Sequence, residues 1–369
     1  MADQTMITAR GQDWLPALAR RSEAVVIPLA ALAVGLILFG IFLLTQGKSP
    51  SDFVAIVWTG AFGSAFSWAN TLSRAAPLLL AALCVALPAR LGLVVIGGEG
   101  AIVLGGVATG ALGPLLSGVP PFLAWPLMAL FAMAIGGLWI GAAGALRYYR
   151  GVNETISSLL LAYIAIALMN HLVEGPLRDP ASLNKPSTAP LAEALKVGTL
   201  PGLDVHWGLA FGVAACVISW VLMDRTTWGF AARIAGGNIR AAQVQGLPVG
   251  RLILGFTALA GAFAGLAGFF EVTAVLGSAN GSLAAGYGYT GILIAFLARH
   301  NPLAIIPVAI LLAGFEASSG LIQRRMDLPD ATILVLQGFV FLSILISDAA
   351  YVRFALFAPE RWNTERWRK

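Results

Sequence analysis

Apolar residues fall in long runs along this chain, and short polar clusters separate them. A helix that crosses a bilayer needs about 20 mostly apolar residues. The first run of that kind covers residues 24–44. Residues 53–68 are apolar but short and carry Gly60 and Gly63, which suits a re-entrant or interfacial segment. Further spans are expected over 72–87, 91–113, 122–146, 156–173, 207–223, 252–275, 303–321 and 331–346, with a short apolar return at 289–297. The 91–113 run has Gly97, Gly98, Glu99 and Gly100 inside it, so its start is expected to be unwound or tightly packed. The pattern predicts an all-α polytopic membrane protein of about ten transmembrane helices, some short or broken.

Composition removes the alternative of a soluble domain. Of 369 residues, 58% are hydrophobic and 11% charged, against roughly 25% charged in soluble domains, and the mean hydropathy is +0.83. The net charge of +5 is therefore read as topology, and nucleic acid is not expected as a partner. Most of the 23 Lys+Arg lie in segments that share one side on this path: Arg10, Arg20 and Arg21, Arg90, Arg147 and Arg150, the four arginines between 225 and 251, Arg299, and the tail. Positive charge marks the cytoplasmic side. Both termini are thus expected in the cytoplasm, as a tail at 1–23 and a basic tail at 351–369 flanking a transmembrane domain at 24–350. The proline-rich stretch 175–205 becomes the large external loop. Cys84 and Cys216 sit in apolar runs, and His171, His206 and His300 are scattered, so neither a disulfide framework nor a metal site is expected. No cofactor is expected.

One polar interruption reads as ordered. In residues 224–251, Thr226 or Thr227 can cap a short helix over 227–235, Gly236 and Gly237 break it, and Asn238 opens a second helix that ends near Gln245 and Gly246. Two short helices slung between spans suit docking better than catalysis. No GxxxxGK(S/T) phosphate loop occurs, and no nucleophile, base and acid combination stands out, so no catalytic residue is assigned.

Ionisable and polar residues within spans are the remaining candidates, because an unpaired charge there costs several kcal/mol. Glu99 either lines a path or holds two helices together, and its flanking glycines favour the second role. Glu154 and Asn153 stand at a span entrance. Glu271 reads as interfacial, and Glu316 is open between the two roles. Trp139, Asn170, Gln337 and Ser343 could touch a polar solute or bond helix to helix. The pairs Gly106/Gly110, Gly137/Gly141 and Gly261/Gly265 read as close helix packing. No internal repeat at a fixed period is visible.

Five segments together resemble permease subunits of bacterial ATP-binding-cassette importers, in the family shared by ribose-type, nucleoside and branched-chain amino-acid systems. They are LVVIGGEGAIVLGG from Leu93, GVNETISSLLLAYIA from Gly151, TTWGFAARIAGGNIRAAQVQGLPVGR from Thr226, GILIAFLARHNPLAIIPVAILLAG from Gly291 and LVLQGFVFL from Leu334. IGGEG and GVNETI look most like the nucleoside-type branch. The chain departs from the family at Val94 and Val95, where members often read phenylalanine and asparagine, and at Ala101, where they often read glutamine. The resemblance implies a subunit of the bacterial inner membrane that works by alternating access. Its implied partners are a cytoplasmic ATPase, an extracytoplasmic substrate-binding protein, a second permease subunit and membrane lipid. It makes 224–251 the element that fits the ATPase, with Thr227, Gly229, Arg233, Gly236, Gly237, Asn238, Arg240 and Gly246 carrying the contact. The solute it implies is neutral and polar, a nucleoside first and a simple sugar second.

Overall fold

The apolar runs form helices in a computed structural model that describes residues 14–354. The order is α1 (Trp14–Thr45), α2 (Pro50–Phe62), α3 (Ala65–Ala89), α4 (Gly98–Leu112), α5 (Pro121–Arg150), α6 (Glu154–Glu174), α7 (Gly208–Arg225), α8 (Thr227–Gly237), α9 (Ile239–Val244), α10 (Val249–Phe270), α11 (Tyr287–Leu297), α12 (Pro302–Met326) and α13 (Ala331–Phe354). Among the described residues there is no β-strand, only the isolated bridges of Ser187 with Asn280 and of Thr199 with His206. The fold is all-α and polytopic, and the chain is a multi-pass membrane protein.

The number of spans differs from ten. Among the described residues seven helices are long and apolar enough to cross a bilayer, and eight if α1 and α2, broken at residues 46–49, act as one. Two shorter apolar helices, Gly281–Leu297 and Ala331–Ser347, make up the remainder. The shortfall has local causes. Ser64 caps α3 by accepting from Ser67 N–H, so the 53–68 run is split between two helices. Residues 93–96 are not helical, so α4 begins only at Gly98. The expected tails at 1–23 and 351–369 fall mostly outside the described residues.

Two units make up the chain, one of residues up to Phe53 and from Pro329 onward, the other of Val54–Leu328. In the first, α1 packs on α13: a Cβ on Gly35 would lie 2.7 Å from the Val340 Cα, and the rings of Phe42 and Phe339 are 6.2 Å apart. In the second, α3, α4 and α10 form the interior. Their most apolar windows are 78, 72 and 72% buried, against 33% for α5, α6 and α7, which therefore carry the lipid-facing surface.

Glycine sets how closely the inner helices approach. On α10, Gly261 and Gly265 meet the backbone of Gly136 on α5, and Gly265 also faces Gly105 on α4. Lipid gives no hydrophobic drive for helix pairing, so contact must come from close packing of small residues. The Gly261/Gly265 pair serves that purpose, and Gly137 and Gly141 pack on Ala258. Gly106 packs on Gly268 of α10. Gly106 and Gly110 also face Leu283, Ala279 and Thr188, in irregular segments that close over the end of α4.

Those irregular segments are tied together. Beyond α10 the chain makes a wide π-helical turn, Glu271–Leu276, ended by Gly277 at φ +72°. The long stretch between α6 and α7 lies along it. Thr188 N–H donates to Ala279 O, Leu191 N–H to Gly277 O and Val197 N–H to Thr273 O. Lys185 Nζ reaches Ser282 Oγ at 2.7 Å, and Trp125 Nε1–H donates to Leu195 O at 3.1 Å.

Candidate functional site

Two short helices, α4 and α11, begin against each other inside the bundle, and Glu99 joins them. It lies in the first turn of α4, 1% exposed. Its Oε1 accepts from Gly286 N–H at 2.7 Å and its Oε2 from Gly288 N–H at 2.6 Å. A helix start leaves several amide groups without partners, and a carboxylate there also meets the positive end of the helix dipole. Glu99 therefore caps α11 from another helix. The contact needs glycine on both sides: Gly286 stands at φ +89°, and a Cβ on Gly288 would collide with the Glu99 backbone.

The non-helical lead into α4 is held by the start of α6. Asn153 caps α6 by accepting from Ile156 N–H at 3.1 Å. Glu154 Oε1 then accepts from Val94 N–H at 3.3 Å, Thr155 Oγ1–H donates to Val94 O at 2.9 Å, and Ser158 Oγ accepts from Ile96 N–H at 3.1 Å. These bonds replace the helix partners that a non-helical segment lacks. Arg147 Nε stands 3.3 Å from Glu154 Oε2, an ion pair but not an aligned hydrogen bond. Arg147 is more than a third exposed, so the pair adds little stability. The motifs LVVIGGEG and GVNETISS are thus one structural unit.

The 224–251 interruption forms a compact corner. Thr226 caps α8 by accepting from Gly229 N–H at 3.2 Å, and Asn238 caps α9 by accepting from Ala241 N–H at 3.0 Å. The break falls at Asn238 alone, since Gly236 and Gly237 still belong to α8. Thr227 starts α8, and Gly246, at φ +77°, follows α9. Gly229 and Gly236 are needed for close approach: a Cβ would strike Leu222 O and Met223 O at the first and Arg90 O at the second. Gly237 faces open space. Arg233 Nη1 reaches Asp224 Oδ1 at 3.2 Å, so it closes the corner from inside the chain. Arg240 is exposed on α9, beside Val244, which is 89% exposed.

The other candidates do not converge. Trp139 Nε1–H donates to Leu161 O at 3.1 Å, a bond between α5 and α6. Asn170 is exposed on α6, and Gln337 is buried on α13 in the smaller unit. Glu271 is 4% exposed, so its interfacial reading is corrected: the π-helical turn folds it inward. It accepts from Tyr287 O–H at a long 3.5 Å. Glu316 accepts from Thr290 Oγ1–H at 3.2 Å. Sequence reading missed Arg74, Tyr287 and Thr290 beside these glutamates. Arg74 carried a signal, as an arginine only two residues into an apolar run. Among the described residues no group of His, Cys, Asp and Glu could hold a metal ion.

Interior helices joined by glycine, half-length helices that meet at their starts, and a capped corner between spans define a polytopic transport subunit. The comparisons agree. Residues 67–345 match the family described as branched-chain amino acid transport system / permease component, and the chain belongs to that family. It is 33% identical over 345 residues to a glucose ABC transporter permease protein of Haloferax volcanii, covering 90% of this chain and 89% of that one. It is 28% identical over 353 residues to a guanosine ABC transporter permease protein of Bacillus subtilis, covering 91 and 97%. A nucleoside ABC transporter permease protein of Lactococcus lactis is 26% identical over 330 residues, covering 87 and 91%. The chain is an ABC transporter permease subunit.

Proposed function

We propose that this subunit imports a small neutral polar solute, a nucleoside foremost, across the cytoplasmic (inner) membrane by alternating access driven by a separate ATPase. The observation that carries the reading is the α8–α9 corner. Two short helices with side-chain caps and an internal ion pair make a rigid knob, and a loop that only marked topology would need none of these. In this reading 224–251 faces the cytoplasm and fits the ATPase, with Arg240 and Val244 at its exposed tip. The tied segment 175–205 lies outside and meets a substrate-binding protein, and a second permease subunit, like or unlike, completes the pathway. The guanosine and nucleoside relatives support a nucleoside. The glucose relative supports a simple sugar as second reading.

Reconstitution tests it. The permease is placed in proteoliposomes with its ATPase, its substrate-binding protein and any second permease subunit, and uptake of labelled guanosine and glucose is followed. Uptake should require ATP and all components. Gradient-driven uptake by the permease alone would overturn the reading in favour of an ion-coupled transporter.

A further inference from the structure

The glutamates inside the helical spans differ in how fully their oxygens are bonded. Both oxygens of Glu99 accept backbone N–H groups at 2.6–2.7 Å. Glu271 is almost as buried, yet among the described residues its carboxylate has one hydrogen bond, the 3.5 Å contact from Tyr287 O–H. Buried carboxylates normally bind several donors, so Glu271 is under-bonded. A buried donor stands near it. Arg74, on α3, lies within electrostatic reach of both Glu271 and Tyr287, and its Nε has no hydrogen-bond partner. Glu316 on α12 and Thr290 on α11 complete the group: they are bonded to each other at 3.2 Å, and Glu316 is in electrostatic range of Glu271 and Tyr287.

We infer that Arg74, Glu271, Tyr287, Thr290 and Glu316 form a solute-recognition site for a polyhydroxylated unit, a ribose or hexose ring. The inference rests on the import reading above. The donor set suits that chemistry. Carboxylates are acceptors only, so adjacent hydroxyls can each donate to one. A guanidinium donates to hydroxyl or ring oxygens, and a tyrosine can both donate and accept while its ring covers an apolar edge. A neutral solute fills unmet bonds without adding charge to a low-dielectric interior. Ribose and glucose share such hydroxyls, which accounts for one site type among relatives named for guanosine and for glucose. The site spans four elements. One of them is a π-helical turn, a feature frequent at functional sites, and another, α11, is the helix that Glu99 caps. A shift at the α4–α11 junction would therefore move Tyr287 and Thr290 relative to Arg74 and Glu316, giving the site two arrangements.

The test measures solute binding to the purified permease–ATPase complex without its binding protein, using labelled guanosine and 2′,3′-dideoxyguanosine, with glucose as a second probe. The wild-type complex should prefer guanosine to its dideoxy analogue. Glu271→Gln and Tyr287→Phe should each weaken guanosine binding about tenfold, the scale of one charge-assisted hydrogen bond, and bring the two ligands close together. The inference is overturned if both variants keep the wild-type preference, if both ligands weaken equally, or if the transporting wild-type complex binds neither guanosine nor glucose. ATPase activity of each variant complex reports folding and assembly, and Tyr287→Phe keeps the ring should Glu271→Gln disturb the fold. Loss of the import reading would show separately, as absence of ATP-driven uptake by the wild type.

Discussion

Glu99 Oε2 lies 2.6 Å from the Gly288 amide nitrogen, although 189 residues separate the two in sequence. Gly98 on α4 packs on Gly288 on α11, so the two helix starts touch backbone to backbone. The Glu99 carboxylate serves both: it sits in the first turn of its own helix and caps the other.

That double role predicts a large loss of stability from a small change. In Glu99→Ala two buried amides lose their acceptor, each at about 1–3 kcal/mol. Gly288→Ala should be at least as damaging, because its Cβ collides with the Glu99 backbone. Thermal unfolding in detergent should show both variants melting well below wild type. An unchanged midpoint for either would contradict the capping role.

The corner at α8 separates two adjacent glycines. Gly236→Ala would strike Arg90 O and displace the turn that leads to α4, whereas Gly237→Ala meets open space. ATP-driven uptake should fall several-fold in the first variant and stay near wild type in the second. Equal effects would show that the packing on Arg90 does not matter.

Arg233 and Asp224 form an ion pair inside the corner, and this changes what a charge reversal means. Arg233→Glu places two carboxylates face to face and should reduce transport. Adding Asp224→Arg should restore much of it, because the pair is re-formed with opposite sense. An arginine that gripped an acidic group on the ATPase would not be rescued this way, so the double variant distinguishes the roles. The pair is partly exposed and worth about 1 kcal/mol at most, so the effect is expected on transport more than on melting.

His300, between α11 and α12, makes stability depend on pH. Burial first, and Arg90 second, pull its imidazole down to about 4 from an ordinary 6.5. The folded chain thus keeps it neutral where the unfolded chain protonates it. Stability is full above pH 6.5 and declines as pH falls toward 4, by an amount on the order of 3 kcal/mol. Thermal midpoints at pH 7 and pH 5 should differ more for wild type than for His300→Gln. The same slope in both proteins would remove His300 as the cause.

What the sequence determined by itself was whatever depends on local composition. Long apolar runs can only be helices in lipid, because every backbone group must be bonded within the segment, so the all-α polytopic class was legible. The caps at Thr226 and Asn238 were legible for the same local reason: a short side chain reaches an amide three residues on. The family motifs were legible as patterns, but not what they touch.

Tertiary structure decided everything that depends on distance between segments. The non-helical lead at 93–96 is held because Glu154, Thr155 and Ser158 supply its bonds, and no local signal states that. A recurring order, in which a long helix, a connecting lead that is not α-helical, a short helix and a long helix appear at α3–α5 and again at α10–α12, left no repeat at a fixed period. The buried glutamates looked alike in sequence, since each is one carboxylate in an apolar setting. Only their partners separate them: two amides saturate Glu99, while Glu271 keeps a long bond to Tyr287 beside an unmet donor on Arg74. A hydrogen bond depends on the position and direction of two groups, and the chain brings those groups together only when it folds.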